Sequence, residues 1–193
     1  AEIAKEARLE TAAICGNTAY LYRYFGFDQG FDTYVDERPV HYGWRPAGLS
    51  LGGRLMALIG KGSFFDGLLE SNERFYLFAS EVNSLALQWL EPRIDRRFFL
   101  FLNYNDPHHP YLPIGKYKEI FPDTSGSLID AYDAETRYMD DHLAALFHRL
   151  ESWNILDRTL VVIVGDHGES FWEHGKIGHA VTVYEPEVRI PLL

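Results

Sequence analysis

Apolar residues along this chain fall into two kinds of pattern. Three short runs are apolar throughout: "TAAIC" (11–15), "FFLFL" (98–102) and "LVVIV" (160–164). Runs of this length with no alternation predict strands buried on both faces of a sheet. Two longer segments carry apolar residues at three- and four-residue spacing, as one face of a helix does. The first is 76–92, which stops at Pro92 where a helix is expected to stop. The second is 127–151. Its stripe is Tyr132, Thr136, Met139, Leu143, Leu146, Phe147 and Leu150, with Asp133, Arg137, Asp140, Asp141 and Arg149 on the opposite side. Residues 1–9 read as the tail of a further helix.

Strands separated by helices predict an α/β fold: a mostly parallel central sheet with helices on both faces. Between the runs, "YFGFDQGFDTYVDE" (24–37) has neither period and reads as an irregular loop, with Asp28 and Asp32 as turn formers. Residues 40–75 carry seven glycines and at most one short helix, around 55–59. No repeat is visible, and residues 1–193 are expected to form a single domain. "AEIAKEARLETAAIC" begins in mid-helix and "VRIPLL" ends in mid-strand, so both ends read as cuts and the domain as incomplete.

Charge narrows the function. The formal net charge is −10. That argues against nucleic acid as a partner, since a basic surface supplies most of such affinity. An anionic ligand would need local positive charge, from a metal, a few His or Lys, or a helix N-terminus. The single cysteine, Cys15, excludes an internal disulfide and reads as a buried small hydrophobe. No apolar run is long enough to cross a bilayer, and no signal peptide or lipidation motif opens the sequence.

In open parallel sheets, ligands bind beyond the carboxyl ends of the strands. Two of the three apolar runs lead there into clusters of ionisable residues, "NDPHHP" and "GDHGE". Asp166 and His167 form an oxygen and nitrogen donor pair suited to Ca²⁺, Mn²⁺ or Zn²⁺. The alternative is a helix-capping Asp166 beside a His167 bound to a carbonyl. His108 and His109 stand between two prolines that hold their backbone, in place to donate a proton or to bind an oxyanion, or else to form a solvated turn. His174, Lys176 and His179 follow in a glycine-punctuated segment. There a cationic side chain could hold an anion or simply face water. The pair Asp140 and Asp141 reads as solvated charge on a helix face.

Four stretches, taken in order, resemble the sulfatase family of the alkaline-phosphatase-like superfamily. They are "GFDQGFDTYVDE", "FFLFLNYNDPHHPYLP", "YDAETRYMDDHLAALFHRLESWNILDRTLVVIVGDHGE" and "EHGKIGHAVTVYEPEVRIPLL". The resemblance implies that Asp166 and His167 are two ligands of one divalent cation, usually Ca²⁺ in sulfatases. It places His108 where the family contacts sulfate and helps protonate the leaving oxygen. His179 falls where many members have a lysine that binds the same group, with Lys176 and His109 as further substrate contacts. Two departures matter. Many members have Asn at the position of His167, whereas relatives that cleave phosphate or phosphonate esters also use Asp-His. The Cys/Ser-x-Pro-x-Arg motif that becomes formylglycine is absent from residues 1–193, and in the family it lies N-terminal to the first stretch.

The resemblance therefore implies a sulfuric ester hydrolase acting on an anionic small-molecule or glycan sulfate ester, with residues 1–193 alone inactive. A phosphodiesterase, phosphonate hydrolase or phosphoryl-headgroup transferase of the same superfamily is the alternative, and a non-catalytic metal- or anion-binding domain is the other. The residues themselves fix no compartment; an extracytoplasmic or membrane-attached setting is an expectation that the resemblance alone implies.

Overall fold

A computed structural model describes residues 1–18, 20–36, 76–112, 114–120, 127–180 and 182–193. The glycine-rich stretch and the helix expected around 55–59 lie outside the described residues. Helix α1 (Glu2–Glu6) leads into strand β1 (Glu10–Cys15), followed by β2 (Thr33–Val35), α2 (Ala79–Leu90) and β3 (Phe98–Asn103). Then come α3 (Tyr117–Ile120), the long helix α4 (Leu128–Ser152), the two-stranded hairpin β4 (Ser170–Phe171) and β5 (Ile177–Gly178), and α5 (Glu185–Val188).

The main sheet has the order β2-β1-β3, and both pairings are parallel. Glu10 is in register with Phe98 and Cys15 with Asn103, so β1 and β3 pair over their full length. With β1 in the centre, residues 11–15 are buried on both faces, which is why that run has no polar alternation. β3 is an edge strand among the described residues and alternates. Leu100 and Leu102 pack inward, while Phe99 and Phe101 are exposed. The uniformly apolar run predicted a strand buried on both faces; at the edge only one face is covered by helix.

That covered face carries the core. Ala12, Ile14, Leu100 and Leu102 meet Val82, Ala86, Trp89 and Leu90 of α2, and Leu150 of α4 with Ile155 closes the far end. α2 and α4 are joined by more than apolar contact. The Asn83 amide donates to the His142 carbonyl at 2.6 Å, and the Tyr138 hydroxyl donates to Ser80 at 2.8 Å. Buried polar groups need such partners, since an unpaired one costs about 1–3 kcal/mol.

Three expectations are corrected. Residues 33–35, inside the segment read as an irregular loop, form β2: Asp32 ties the segment to the centre, its side chain and backbone both bonding Thr11. Residues 160–164 are not a strand of the parallel sheet. Leu160, Val162 and Val164 are exposed, and Ile163 exchanges both backbone bonds with Leu193 at 3.0 and 2.9 Å. The run therefore pairs antiparallel with the C-terminal segment. Finally, the buried stripe of α4 is Ala134, Glu135, Tyr138, Leu146 and Leu150. Its first half is rotated from the predicted stripe, and it turns a carboxylate inward.

Ile14 is about fully enclosed, at 1% exposure, between the β-sheet and α2. Ile14→Ala is expected to lower the unfolding free energy by about 2–5 kcal/mol and Ile14→Val by about 0.5–1.5 kcal/mol, measured by urea denaturation.

Candidate functional site

The loop leaving the carboxyl end of β3 is held at three points. The Asp106 carboxylate, buried, accepts the backbone N–H of Ala79 at 2.9 Å and so caps α2. Glu135, rising from α4 and 4% exposed, accepts the N–H of His108 at 3.2 Å and the N–H of Leu112 through a short bond. One carboxylate thus spans both sides of the His108–His109 pair. Burial pushes the Glu135 carboxyl up to about 7, against the two backbone donors that favour its charged form, and nearby Asp106 adds to the rise.

The second half of the site comes from the segment after residues 160–164. Gly165 and Gly168 donate to the carbonyls of Pro191 and Glu187, at 3.2 and 2.8 Å, so this turn is strapped to the C-terminal segment. Gly168 is required by close approach: a Cβ there would stand 2.0 Å from the Pro186 carbonyl oxygen. The chain then enters β4, turns, and returns along β5 with Ser170 opposite Gly178, which brings His179 back beside Glu169. Phe171 of β4 packs on Tyr111 of the loop and Tyr132 of α4, with ring centroids 6.1 and 5.1 Å away, and Tyr111 and Tyr132 are 5.6 Å apart. This aromatic triad locks hairpin, loop and helix together.

These supports bring three imidazoles into one cluster. The His167 and His179 rings stack at 4.0 Å, and His108 meets His179 edge-on at 5.5 Å. In each ring Nδ1 faces an oxygen: the His109 carbonyl at 2.6 Å from His108, the Gly168 carbonyl at 2.8 Å from His167, and the Glu169 carboxylate at 3.1 Å from His179. Carbonyls and carboxylates only accept, so each Nδ1 carries the proton and each Nε2 is left for the site.

Asp166 is exposed beside this cluster, with Oδ2 3.7 Å from His167 Nε2. Two donors to one ion, each about 2.0–2.6 Å from it, stand at comparable separations. The pair therefore fits half of a cation site. Among the described residues no group of three or more His, Cys, Asp or Glu is arranged to hold a metal.

The remaining predicted contacts lie apart. The exposed His109 ring turns to Tyr111, 5.8 Å between centroids. Lys176 is exposed on the hairpin turn, and His174 stacks on Tyr184 at 4.0 Å. Cys15 is buried and its thiol is pushed up by that burial, which fits packing and not chemistry. Sequence reasoning overlooked Glu135, Glu169 and Tyr111. For Glu169 a signal was present, an acid three residues after Asp166 in the same "GDHGE" cluster; Glu135 shares its helix face with Ala134 and Tyr138.

Comparison with known proteins bears on the family and the fold. The family model described as Sulfatase matches residues 1–193. Among solved structures, Ps i-CgsB superposes with a TM-score of 0.63 at 17% identity, over 99% of this chain and 45% of its own. Ps i-CgsB in complex with k-i-k-neocarrahexaose gives 0.58 at 18% identity, over 95% of this chain and 44% of its own. The proposed sulfatase yidJ of Bacteroides fragilis gives 0.54 at 24% identity, over 62% of this chain and 31% of its own. The chain thus spans less than half the length of these structures, whose alkaline-phosphatase-like fold it shares.

Glu135 generates a pH dependence of stability. Its carboxyl is raised in the fold from 4.5 to about 7, so the folded state holds a proton that the unfolded state has released. The associated stabilisation is complete below about pH 4.5 and is lost as pH rises through about 7, by about 2–4 kcal/mol. Urea midpoints across this window are expected to fall more steeply for the wild type than for Glu135→Gln.

Proposed function

The chain belongs to the sulfatase family, and from that premise we propose that the whole protein hydrolyses sulfate esters at the cluster built by His108, His167, His179 and Asp166. The convergence of three imidazoles, each held through Nδ1, is the observation that supports this reading most. A sulfate group carries charge on several oxygens, and rigid donors aimed at that charge are worth more than flexible ones, because no reorganisation is needed as charge builds.

Asp166 Oδ2 and His167 Nε2 would supply two ligands to a divalent cation, Ca²⁺ being the family's usual choice, with other ligands outside residues 1–193. When bound, the cation neutralises sulfate charge and activates the nucleophile. The nucleophile, a formylglycine in this reading, would come from a segment outside residues 1–193, where no Cys/Ser-x-Pro-x-Arg occurs. His108 and His179 would hold the sulfate oxygens through Nε2 and pass a proton to the departing alcohol oxygen. Histidine at position 179, in place of lysine, donates only when Nε2 is protonated. Residues 1–193 by themselves would bind the cation weakly and not turn over.

For substrate class, a glycan sulfate ester is the reading we favour, because a structure of the same fold holds an oligosaccharide, k-i-k-neocarrahexaose. His167, the residue shared with phosphate- and phosphonate-cleaving relatives, keeps a phosphodiesterase as the second reading.

Turnover of an aryl sulfate by the intact protein, abolished by a chelator and restored by Ca²⁺, is the expected result. His108→Ala is expected to lower kcat by about 10²–10⁴-fold, the range for loss of a positioned proton donor. Turnover of an aryl phosphate diester alone would select the second reading. Hydrolysis of neither, with metal supplied, would leave a non-catalytic anion-binding domain.

A further inference from the structure

The three clustered histidines are oriented in different ways. His108 and His167 are each held by a backbone carbonyl of the next residue in the chain. Such contacts are built by the main chain and survive most side-chain substitutions. His179 is the exception. Its Nδ1 is held by a side chain from the opposite strand of the hairpin, the Glu169 carboxylate.

That carboxylate is itself fixed. Its side chain is 7% exposed. Its second oxygen accepts the Tyr111 hydroxyl at 2.7 Å. Tyr111 sits in the aromatic triad with Tyr132 and Phe171, and burial followed by the Glu169 bond raises its hydroxyl above the ordinary phenol range, which keeps it a donor. The chain of contacts runs one way: Tyr111 donates to Glu169, and Glu169 can only accept from His179. Nδ1 of His179 must then bear hydrogen, and the ring cannot rotate about its Cβ–Cγ bond without losing the bond.

We propose that Glu169, held by Tyr111, is the positioning residue that keeps hydrogen on Nδ1 of His179 and fixes its ring orientation, so that Nε2 is the nitrogen turned to the substrate's sulfate or phosphate oxygens, to which it donates as the imidazolium. This rests on the functional reading above for its substrate, but the geometry stands without it. A buried carboxylate behind a working imidazole does the same for many metal-ligating histidines, and its loss there costs about 10–100-fold. The position also explains why an acid is tolerated so close to an anion site. Both of its oxygens are occupied by donors, and it stands behind the imidazole, on its Nδ1 side.

The test reads the tautomer directly. The intact protein, labelled with ¹⁵N-histidine, is recorded by long-range ¹H–¹⁵N correlation at alkaline pH, where imidazole is neutral; His179→Gln assigns the signal. In the wild type His179 is expected as the Nδ1–H form. Glu169→Gln keeps an accepting oxygen and is expected to keep that form, with kcat/KM within about threefold of the wild type. Glu169→Ala is expected to shift His179 towards the Nε2–H form that histidine favours in water, and to lower kcat/KM by about 10–100-fold. Tyr111→Phe, which removes one hydroxyl and no packing volume, is expected to move both readouts in the same direction by less, and it decides the matter if Glu169→Ala fails to fold.

An Nε2–H wild-type His179 would overturn the proposal. So would an Nδ1–H form that persists in both Glu169→Ala and Tyr111→Phe, whatever their activity. If the wild type hydrolyses neither ester while the tautomer follows Glu169, the positioning role stands and the hydrolase reading falls.

Discussion

One buried carboxylate carries the geometry of the site. Glu135 rises from the inner face of α4 and accepts the backbone N–H groups of His108 and Leu112. The loop between them has no strand or helix of its own, so without that clamp its two backbone donors would need other partners and the His108 ring would have no fixed place. Desolvating a carboxylate is costly, and burial raises the Glu135 carboxyl to about 7. Each of the two backbone N–H groups has its own oxygen, and only the ionised carboxylate offers both as full acceptors.

From this clamp the structure builds outward by short steps. The loop carries Tyr111, Tyr111 reaches Phe171 and Glu169 on the hairpin, and Glu169 reaches His179. Each contact joins segments distant in the chain, residues 111 and 169 or 135 and 108. A cluster assembled this way is rigid because aromatic packing sets the distances and hydrogen bonds set the directions. Rigidity is what an anion site needs, since donors already in place cost no ordering when the ligand arrives.

Exposed apolar surface includes Phe99 and Phe101 of β3 and Leu160, Val162 and Val164, which border the segment that ends in Asp166. Their composition is that of buried strands, although β3 is an edge and residues 160–164 pair only with the C-terminal segment among the described residues. The structures that share this fold are more than twice as long.

Much was legible beforehand. The central strand, the helix ending near Pro92 and the long helix followed from residue patterns, because burial on both faces or on one stripe leaves a local imprint of known period. The clusters at 106–110 and 166–179 stood out because ionisable residues after an apolar run have no packing role there. Other features left no local trace. β2 is three residues long and owes its existence to Asp32 and Thr11, so tertiary pairing overrode a composition typical of loops. The placement of 160–164 depended on a partner thirty residues later, which an apolar run cannot specify. Above all, sequence determined which residue types could meet an anion or a cation. Only the tertiary structure decided that Glu135 faces inward, that Glu169 stands behind His179, and that His109 and Lys176 stand apart. Those outcomes turn on helix rotation, hairpin register and the direction of single hydrogen bonds, and direction is a property that no linear pattern of hydrophobicity or charge encodes.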